Sequence, residues 1–306
     1  MSWADRPAHH GDFALHELMA SKARTATTIS VCLPARDEAA TVGAIVRSIR
    51  QDLVAPGLVD ELIVMDDDSS DGTATEAATA GARVVRVSEV PPTEVFRRGK
   101  GTVLWKSLFV SRGELICWID ADIVGFRSHM IIGLLGPLLT DSTIDFVKGF
   151  YDRPERAGSG GGRITELVAR PLIAMLFPHL AGIVQPLAGA TAARRHILER
   201  FRFAQGWGAD FALLLDAADR VGIGAIAQCD LGTLVHDSKS LLGLGPQAAA
   251  SLSIALARAG IHKPSSFDLR QFVEGDVITT PVCIDELPPP MASPHYRPRQ
   301  VEQRPA

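Results

Sequence analysis

Cysteine is scarce in this 306-residue chain, and its four cysteines, Cys32, Cys117, Cys229 and Cys283, are widely scattered with no CxxC pair. That spacing argues against a disulfide-stapled secreted scaffold and offers no cysteine zinc module. Three of the four lie in apolar, strand-like runs, so they read as buried free thiols of a protein kept in a reducing cytosol. Long apolar runs are also missing. None reaches the roughly 18 residues that a membrane-spanning helix needs, and the densest, Met130–Leu139, is too short. The opening stretch, MSWADRPAHHGDF, is polar and has no signal-peptide core. Positive charge is not in excess: 31 Lys+Arg against 35 Asp+Glu give a formal net charge of -4, which argues against nucleic acid as a partner. The expectation is a cytoplasmic protein that engages neither membrane nor nucleic acid.

What is present is ordinary globular material, 46% hydrophobic and 22% charged, enough for one large domain or two small ones. The pattern alternates strand and helix. TISVCLPA (28–35) is a short β-branched run, and Val42, Ile45, Val46 and Ile49 then recur at helical spacing. DELIVMDD (60–67) reads as a second buried strand. SDGTATEAATAGA follows as a small helix with Ser70 or Asp71 as its N-cap. RVVRV, GKGTVLWKSLFVS and ELICWID continue as strand, helix and strand. This order predicts an α/β fold: a mostly parallel, Rossmann-like sheet flanked by helices. Ligands bind at the carboxyl ends of such strands.

Carboxylates gather at those ends. Arg36, Asp37 and Glu38 follow the first strand, Asp66, Asp67, Asp68 and Asp71 the second, and Asp120 and Asp122 the fourth. A D-x-D pair alone also serves as a helix cap. Three acidic strand ends in one crevice, however, crowd like charges, which is costly unless a cation or hydrogen-bond donors sit among them. A hard divalent ion carrying a phosphate is the natural occupant.

The blocks LPARDEAATVGAIVRSI, ELIVMDDDSSDGT, RRGKG and WIDADI resemble the nucleotide-sugar half of GT-A fold glycosyltransferases. VKGFYDRP, GGGRITELVARPL, VQPLAGATAARR and IAQCDLGTLVHD resemble glucosyl-3-phosphoglycerate synthases and their mannosyl-transferring relatives, retaining enzymes of actinobacteria. The likeness runs from about Gly11 to Ile261. It implies a GT-A fold with a smaller acceptor-binding C-terminal half, divided as residues 1–27 (N-terminal extension), 28–150 (nucleotide-sugar part), 151–262 (acceptor part) and 263–306. The last stretch, proline-rich in ELPPPMASPHYRPRQVEQRPA, is expected to be partly disordered.

The resemblance also implies roles. Pro34, Ala35, Arg36 and Glu38 would hold the nucleoside, with Ser69 from the next loop and Lys100 on the diphosphate. Asp122 and His236 would hold Mg2+ or Mn2+, and Asp120 would orient ribose or a metal-bound water. The glycines Gly158, Gly160, Gly161 and Gly162 run into Arg163 and Thr165. Exposed amides, a helix start and a two-pronged guanidinium suit an anion, so Gly161, Gly162, Arg163 and Thr165 would cradle the acceptor phosphate. Ser238 stands where relatives carry an asparagine that also touches the acceptor. The Leu187 carbonyl would lie beside the anomeric carbon, and Asp210 matches a family glutamate near the sugar hydroxyls.

The expected reaction is transfer of glucose from UDP-glucose to the 2-hydroxyl of 3-phosphoglycerate, the chain acting as a homodimer through the apolar helix Ile164–Leu180. GDP-mannose as donor is the neighbouring alternative. A sugar nucleotidyltransferase would carry a glycine-rich loop after the first strand, where LPARDEAAT stands. A polyprenyl-phosphate sugar transferase would need a membrane anchor, and a non-catalytic nucleotide-sugar binder would not need Lys100, Asp122, His236 and Arg163 together.

Overall fold

Each central strand sends alternate side chains to opposite sides, and this divides the interior into two cores. Val31 and Leu33 face one core while Cys32 faces the other; Leu115 and Cys117 likewise oppose Ile116 and Trp118. Strands buried on both faces need helices on both faces. The computed structural model, which describes residues 6–93, 98–152, 162–234, 240–262, 264–273 and 275–298, has that layering.

In chain order the elements are β1 (Ala8–His9), α1 (Leu15–Thr25), β2 (Ile29–Ala35), α2 (Val42–Ile49), β3 (Glu61–Asp66), α3 (Thr73–Thr79) and β4 (Arg83–Arg86). Then come α4 (Lys100–Val110), β5 (Leu115–Trp118), α5 (His129–Thr140), β6 (Phe146–Asp152), α6 (Arg170–Leu176), β7 (Thr191–Arg194), α7 (Arg195–Leu198), β8 (Phe203–Ala204), α8 (Ala209–Val221), β9 (Ile226–Thr233) and α9 (Leu241–Arg258). A hairpin, β10 (Ser266–Val273) and β11 (Asp276–Cys283), and a short β12 (Glu286–Leu287) complete the described chain.

Eight strands form one sheet in the order β1-β9-β6-β7-β5-β2-β3-β4. Only β7 is antiparallel, to both β5 and β6. The carboxyl ends of β2, β3, β5, β6 and β9 therefore share one rim. Residues of α1, α2 and α5 fill one core, and those of α4, α6 and α8 fill the other. The apolar run at Met130–Leu139 is the buried helix α5. Among the described residues no helix is long and apolar enough to cross a membrane.

The structure adds detail to three expectations. The division at 150/151 cuts through β6, and β6, β7 and β9 continue the same sheet, so the halves share one backbone framework. The described residues after 263 are built into the fold: β12 pairs with β8, the Trp105 indole donates to the Pro288 carbonyl at 2.8 Å, and the Tyr296 hydroxyl donates to Glu199 at 2.5 Å. Buried Arg195 also donates to the Tyr296 hydroxyl at 3.2 Å, so a satisfied polar cluster outweighs the proline-rich composition. Finally, Ile164–Leu180 is not one regular helix. Pro171 has no N–H to donate to Leu167, and the chain widens to a π-turn over Thr165–Ala169 before α6, which ends at Leu176. The small helix α3 takes Gly72 as its N-cap, while Asp71 accepts the Thr73 N–H at 2.9 Å from just outside.

Candidate active site

The common rim opens into a cavity of about 930 Å³. Its lining includes Pro34, Ala35, Arg36 and Glu38 after β2, Asp67 after β3, and Asp120 and Asp122 after β5. Sequence-distant segments supply the opposite wall: Gly162, Arg163, Thr165, Leu187 and Asp210. These expected residues thus converge on one space. Gly161, His236 and Ser238 lie outside the described residues. Ser69 does not line the cavity: its hydroxyl accepts the Asp37 N–H at 3.0 Å, which ties the first two loops together.

On the nucleotide side, Arg36 lies 3.5 Å from the buried carboxylate of Asp67. Burial pushes the Asp67 carboxyl up, against the pull of Arg36 and Arg98. Arg98 pairs with Asp68 at 3.6 Å and lines the same cavity. The Thr41 hydroxyl at the head of α2 donates to the Ala121 carbonyl at 2.6 Å, which fixes the D-x-D turn against the first loop. Glu38 is pushed up to about 7, first by burial, then by the nearby charges of Asp122, Asp71, Asp120 and Asp37. Acids outnumber cations here.

Lys100 begins α4 and reaches two carboxylates, Asp120 at 2.6 Å and Asp210 at 2.9 Å. Burial alone would lower its ammonium; the two acids outweigh that and hold it far above the ordinary lysine value. Gly189 makes this approach possible, because a Cβ there would overlap both the Asp120 carboxylate and the Lys100 ammonium. Gly101 lets α4 sit on β8 for the same reason, since a Cβ there would enter the Ala204 carbonyl. Asp210 opens α8 and belongs to a different part of the chain from Asp120. Lys100 thus joins the two halves of the site electrostatically.

On the acceptor side, Gly162 has φ +85°, a left-handed conformation that favours glycine. Arg163 and Thr165 follow it at the cavity wall. The turn before Leu187 is held from two strands. The Gln185 amide donates to the Tyr151 carbonyl at 2.6 Å, and the Gln228 carbonyl oxygen accepts the Val184 N–H at 2.7 Å. Arg170 adds a hydrogen bond to the Val184 carbonyl at 3.0 Å.

The donor set suits a hard divalent cation. A divalent ion among these carboxylates would relieve the crowding that raises Glu38, and phosphate oxygens and waters could complete the shell of Mg2+ or Mn2+. Among the described residues no group of three His, Cys, Asp or Glu side chains has metal-ligating geometry.

Sequence reading gave no role to Arg98, Gly189 or Lys148, and named Asp67 only as one of the strand-end carboxylates. Asp67 and Arg98 stand inside blocks already singled out, each two residues before a chosen position, Ser69 and Lys100. Gly189 sits in the plain small-residue run LAGAT and reveals itself only through the atoms that approach it.

A strand-end D-x-D turn, a lysine on the nucleotide side and a mixed sheet with one reversed strand define a nucleotide-sugar-dependent glycosyltransferase of GT-A fold. The family model described as "Glycosyl transferase family 2" matches residues 30–159. A glucosyl-3-phosphoglycerate synthase of Mycolicibacterium paratuberculosis is 42% identical over 97% of this chain and 92% of its own length. Two crystal structures of the Mycobacterium tuberculosis glucosyl-3-phosphoglycerate synthase superpose closely. The one with Mn2+, UDP-glucose and phosphoglyceric acid has a TM-score of 0.84 at 42% identity, covering 91% of this chain and 94% of that one. The one with Mg2+ and UDP has a TM-score of 0.86 at 41% identity, covering 93% and 98%. The chain belongs to the glucosyl-3-phosphoglycerate synthase family.

Proposed function

We propose that this chain transfers glucose from UDP-glucose to the 2-hydroxyl of 3-phosphoglycerate, with retention at the anomeric carbon and with Mg2+ or Mn2+ bound. The observation that carries this reading is one cavity with two unlike walls. One wall holds Lys100 and Asp120 at the D-x-D turn, the other holds Asp210, Gly162, Arg163 and Thr165, and the Lys100–Asp210 pair joins them. The relatives' ligands match these walls in kind: a uridine nucleotide sugar, a phosphorylated three-carbon acid and a divalent cation.

In this reading Pro34, Ala35, Arg36 and Glu38 seat the nucleoside, and Lys100 turns to the diphosphate. Asp122 and His236 hold the cation, which when bound offsets charge on the leaving diphosphate. Arg163 grips the acceptor phosphate with parallel hydrogen bonds, and Gly161, Gly162, Thr165 and Ser238 complete that subsite. Asp210 accepts from sugar hydroxyls. The Leu187 carbonyl lies beside the anomeric carbon on the face away from the leaving group. The departing diphosphate takes the acceptor proton on the same face as attack, so no protein base is required.

One panel tests the reading: UDP-glucose and GDP-mannose, each with 3-phosphoglycerate, with and without Mg2+ or Mn2+. Product with UDP-glucose and metal is expected. Product with GDP-mannose alone, or full activity after chelation, would overturn it.

Leu167 and Met175 are exposed beside the acceptor wall, with 72% and 77% of their surface open. Both belong to the apolar Ile164–Leu180 stretch, and a homodimer covering them is the proposed assembly. Light scattering at micromolar concentration should give twice the 32.8 kDa chain mass; the single-chain mass would refute it. The free thiols Cys32, Cys117 and Cys229, all buried, suit a cytoplasmic setting.

A further inference from the structure

One buried cation near the cavity has no part in the mechanism above. Lys148, in β6, is 1% exposed. It shares a sheet face with Thr191 of β7 and Gln228 of β9, its register partners on either side, and both of those are also 1% exposed. The three side chains form a buried polar row in an otherwise apolar core. Gln228 is bonded at both ends, to the Val184 N–H at 2.7 Å and the Gly182 carbonyl at 3.0 Å, whereas the other two members are sparsely satisfied. The Lys148 Nζ donates to the backbone carbonyl of Asp210 at 3.2 Å. The Thr191 hydroxyl is the one buried side-chain polar atom without a hydrogen-bond partner among the described residues.

An ammonium in such a place is costly, and an apolar side chain of similar volume would fit the core more cheaply. The charges that face Lys148 are Asp210 on α8, Lys100 on α4 and Asp120 after β5; Thr191 and Gln228 flank it without charge. With Lys100 paired to both acids, the group is neutral: two lysines, two aspartates. Burial, the main cause, and Lys100 push Lys148 down, Asp210 and Asp120 push it up, and the balance is about 8.

Binding the donor disturbs that balance. If Lys100 turns to the diphosphate, as the proposed function has it, Asp210 loses its 2.9 Å partner. Without that partner the carboxylate is free to swing away from the sugar. We propose that Lys148 is a positioning residue for the donor sugar: it is the second cation near Asp210 and keeps that side chain fixed at the sugar once Lys100 has left. Its fixed bond to the Asp210 carbonyl holds the first turn of α8, and its charge replaces the one withdrawn. This inference rests on the donor reading of the site.

The test uses the full-length protein with Mg2+, UDP-glucose and 3-phosphoglycerate. Lys148→Gln keeps a hydrogen-bond donor for the Asp210 carbonyl and removes the charge. We expect kcat to fall about thirtyfold while the KM for UDP-glucose stays within about threefold, because the loss falls on the reacting sugar and not on the nucleotide. In an Asp210→Asn background the same substitution should cost less than about twofold, since no carboxylate remains to be held. An equal loss in both backgrounds, or no loss in either, overturns the proposal. A measurement on the unaltered protein does not depend on the variant folding. The other lysines are Lys22, Lys100, Lys106, Lys239 and Lys263, so the ε-methylene carbon of Lys148 can be assigned by exclusion and titrated by NMR. UDP-glucose with Mg2+ should raise its midpoint by about one unit or more, as expected when a nearby carboxylate loses its other cation. A midpoint that stays or falls while calorimetry shows donor binding overturns the role of Lys148 alone. Absence of any binding heat overturns the donor reading, and the role of Lys148 with it.

Discussion

The two walls of the cavity are built on opposite plans. The nucleotide wall comes from loops that each follow their own strand, and its charges are paired before any ligand arrives: Arg36 with Asp67, Arg98 with Asp68, Lys100 with Asp120 and Asp210. The acceptor wall is assembled from segments distant in sequence. It includes a positive-φ glycine at 162, a π-turn in place of a clean helix start, and the Gln185 turn pinned from β6 and β9. A preorganised charge wall suits a ligand with invariant diphosphate, and a composite wall lets the second substrate be chosen separately.

The comparison breaks most completely at the cation. Asp122→Ala or His236→Ala should lower kcat by about a thousandfold or more, since the ion supplies several kcal/mol to the transition state. Circular dichroism should find the fold unchanged, and near-normal turnover in saturating Mg2+ would remove both residues from the metal site. Next in size is the acceptor wall. Arg163→Ala should raise the KM for 3-phosphoglycerate by roughly a hundredfold, the scale of a lost charge-assisted contact. UDP affinity should hardly change. Unphosphorylated glycerate should be a poor acceptor for both proteins; equal losses for the two acceptors would show that Arg163 does not read the phosphate. Arg163→Lys should recover part of the loss, because a point charge cannot reproduce the fork.

Lys100→Ala sharpens the contrast from the other wall. UDP binding by calorimetry should weaken by about 1.5–3 kcal/mol, and the fold should lose stability too, because Asp120 and Asp210 would lose their shared cation. Gly189→Ala should separate the same three side chains without removing any charge, at a cost of about 1–3 kcal/mol for overpacking. An unchanged melting temperature and donor affinity would mean the close approach at Gly189 is dispensable. A pH dependence of comparable size follows from Lys148. Lys148 is held down to about 8 from its ordinary 10.5, so between those values the unfolded chain binds more protons than the native one. Stability should therefore rise with pH through that window, by up to about 3 kcal/mol, and Lys148→Met should flatten the curve. Denaturant melts at pH 7.5 and 10.5 measure both.

The nucleotide wall was legible in the sequence because parallel strands put functional residues at their own ends. TISVCLPA, DELIVMDD and ELICWID announce their rim positions through apolar runs that stop at charges. β7 was not legible: TAAR has little β-propensity, and it is a strand because β5 and β6 need a partner between them. Neither was Lys148, which looks like an ordinary strand charge until three strands and α8 close over it. The tail after 263 reads as proline-rich, while Trp105, Glu199 and Arg195 wait in the body of the protein to hold its described part.

The pairing of β1 with β9 has a consequence for synthesis. Ala8 lies opposite Cys229 and His9 opposite Asp230, so the first strand to leave the ribosome has no partner until three quarters of the chain has followed. The βαβ units from β2 to β5 close over short loops and can form early, whereas the β1–β9 edge requires a long-range closure. β9 runs straight into Leu234 at the cavity wall. A nascent or refolding chain should thus acquire its nucleotide wall first and its catalytic rim last. Pulse-labelled hydrogen exchange should find amides of β2, β3 and β5 protected before those of β9, and the reverse order would show that the far edge nucleates the sheet.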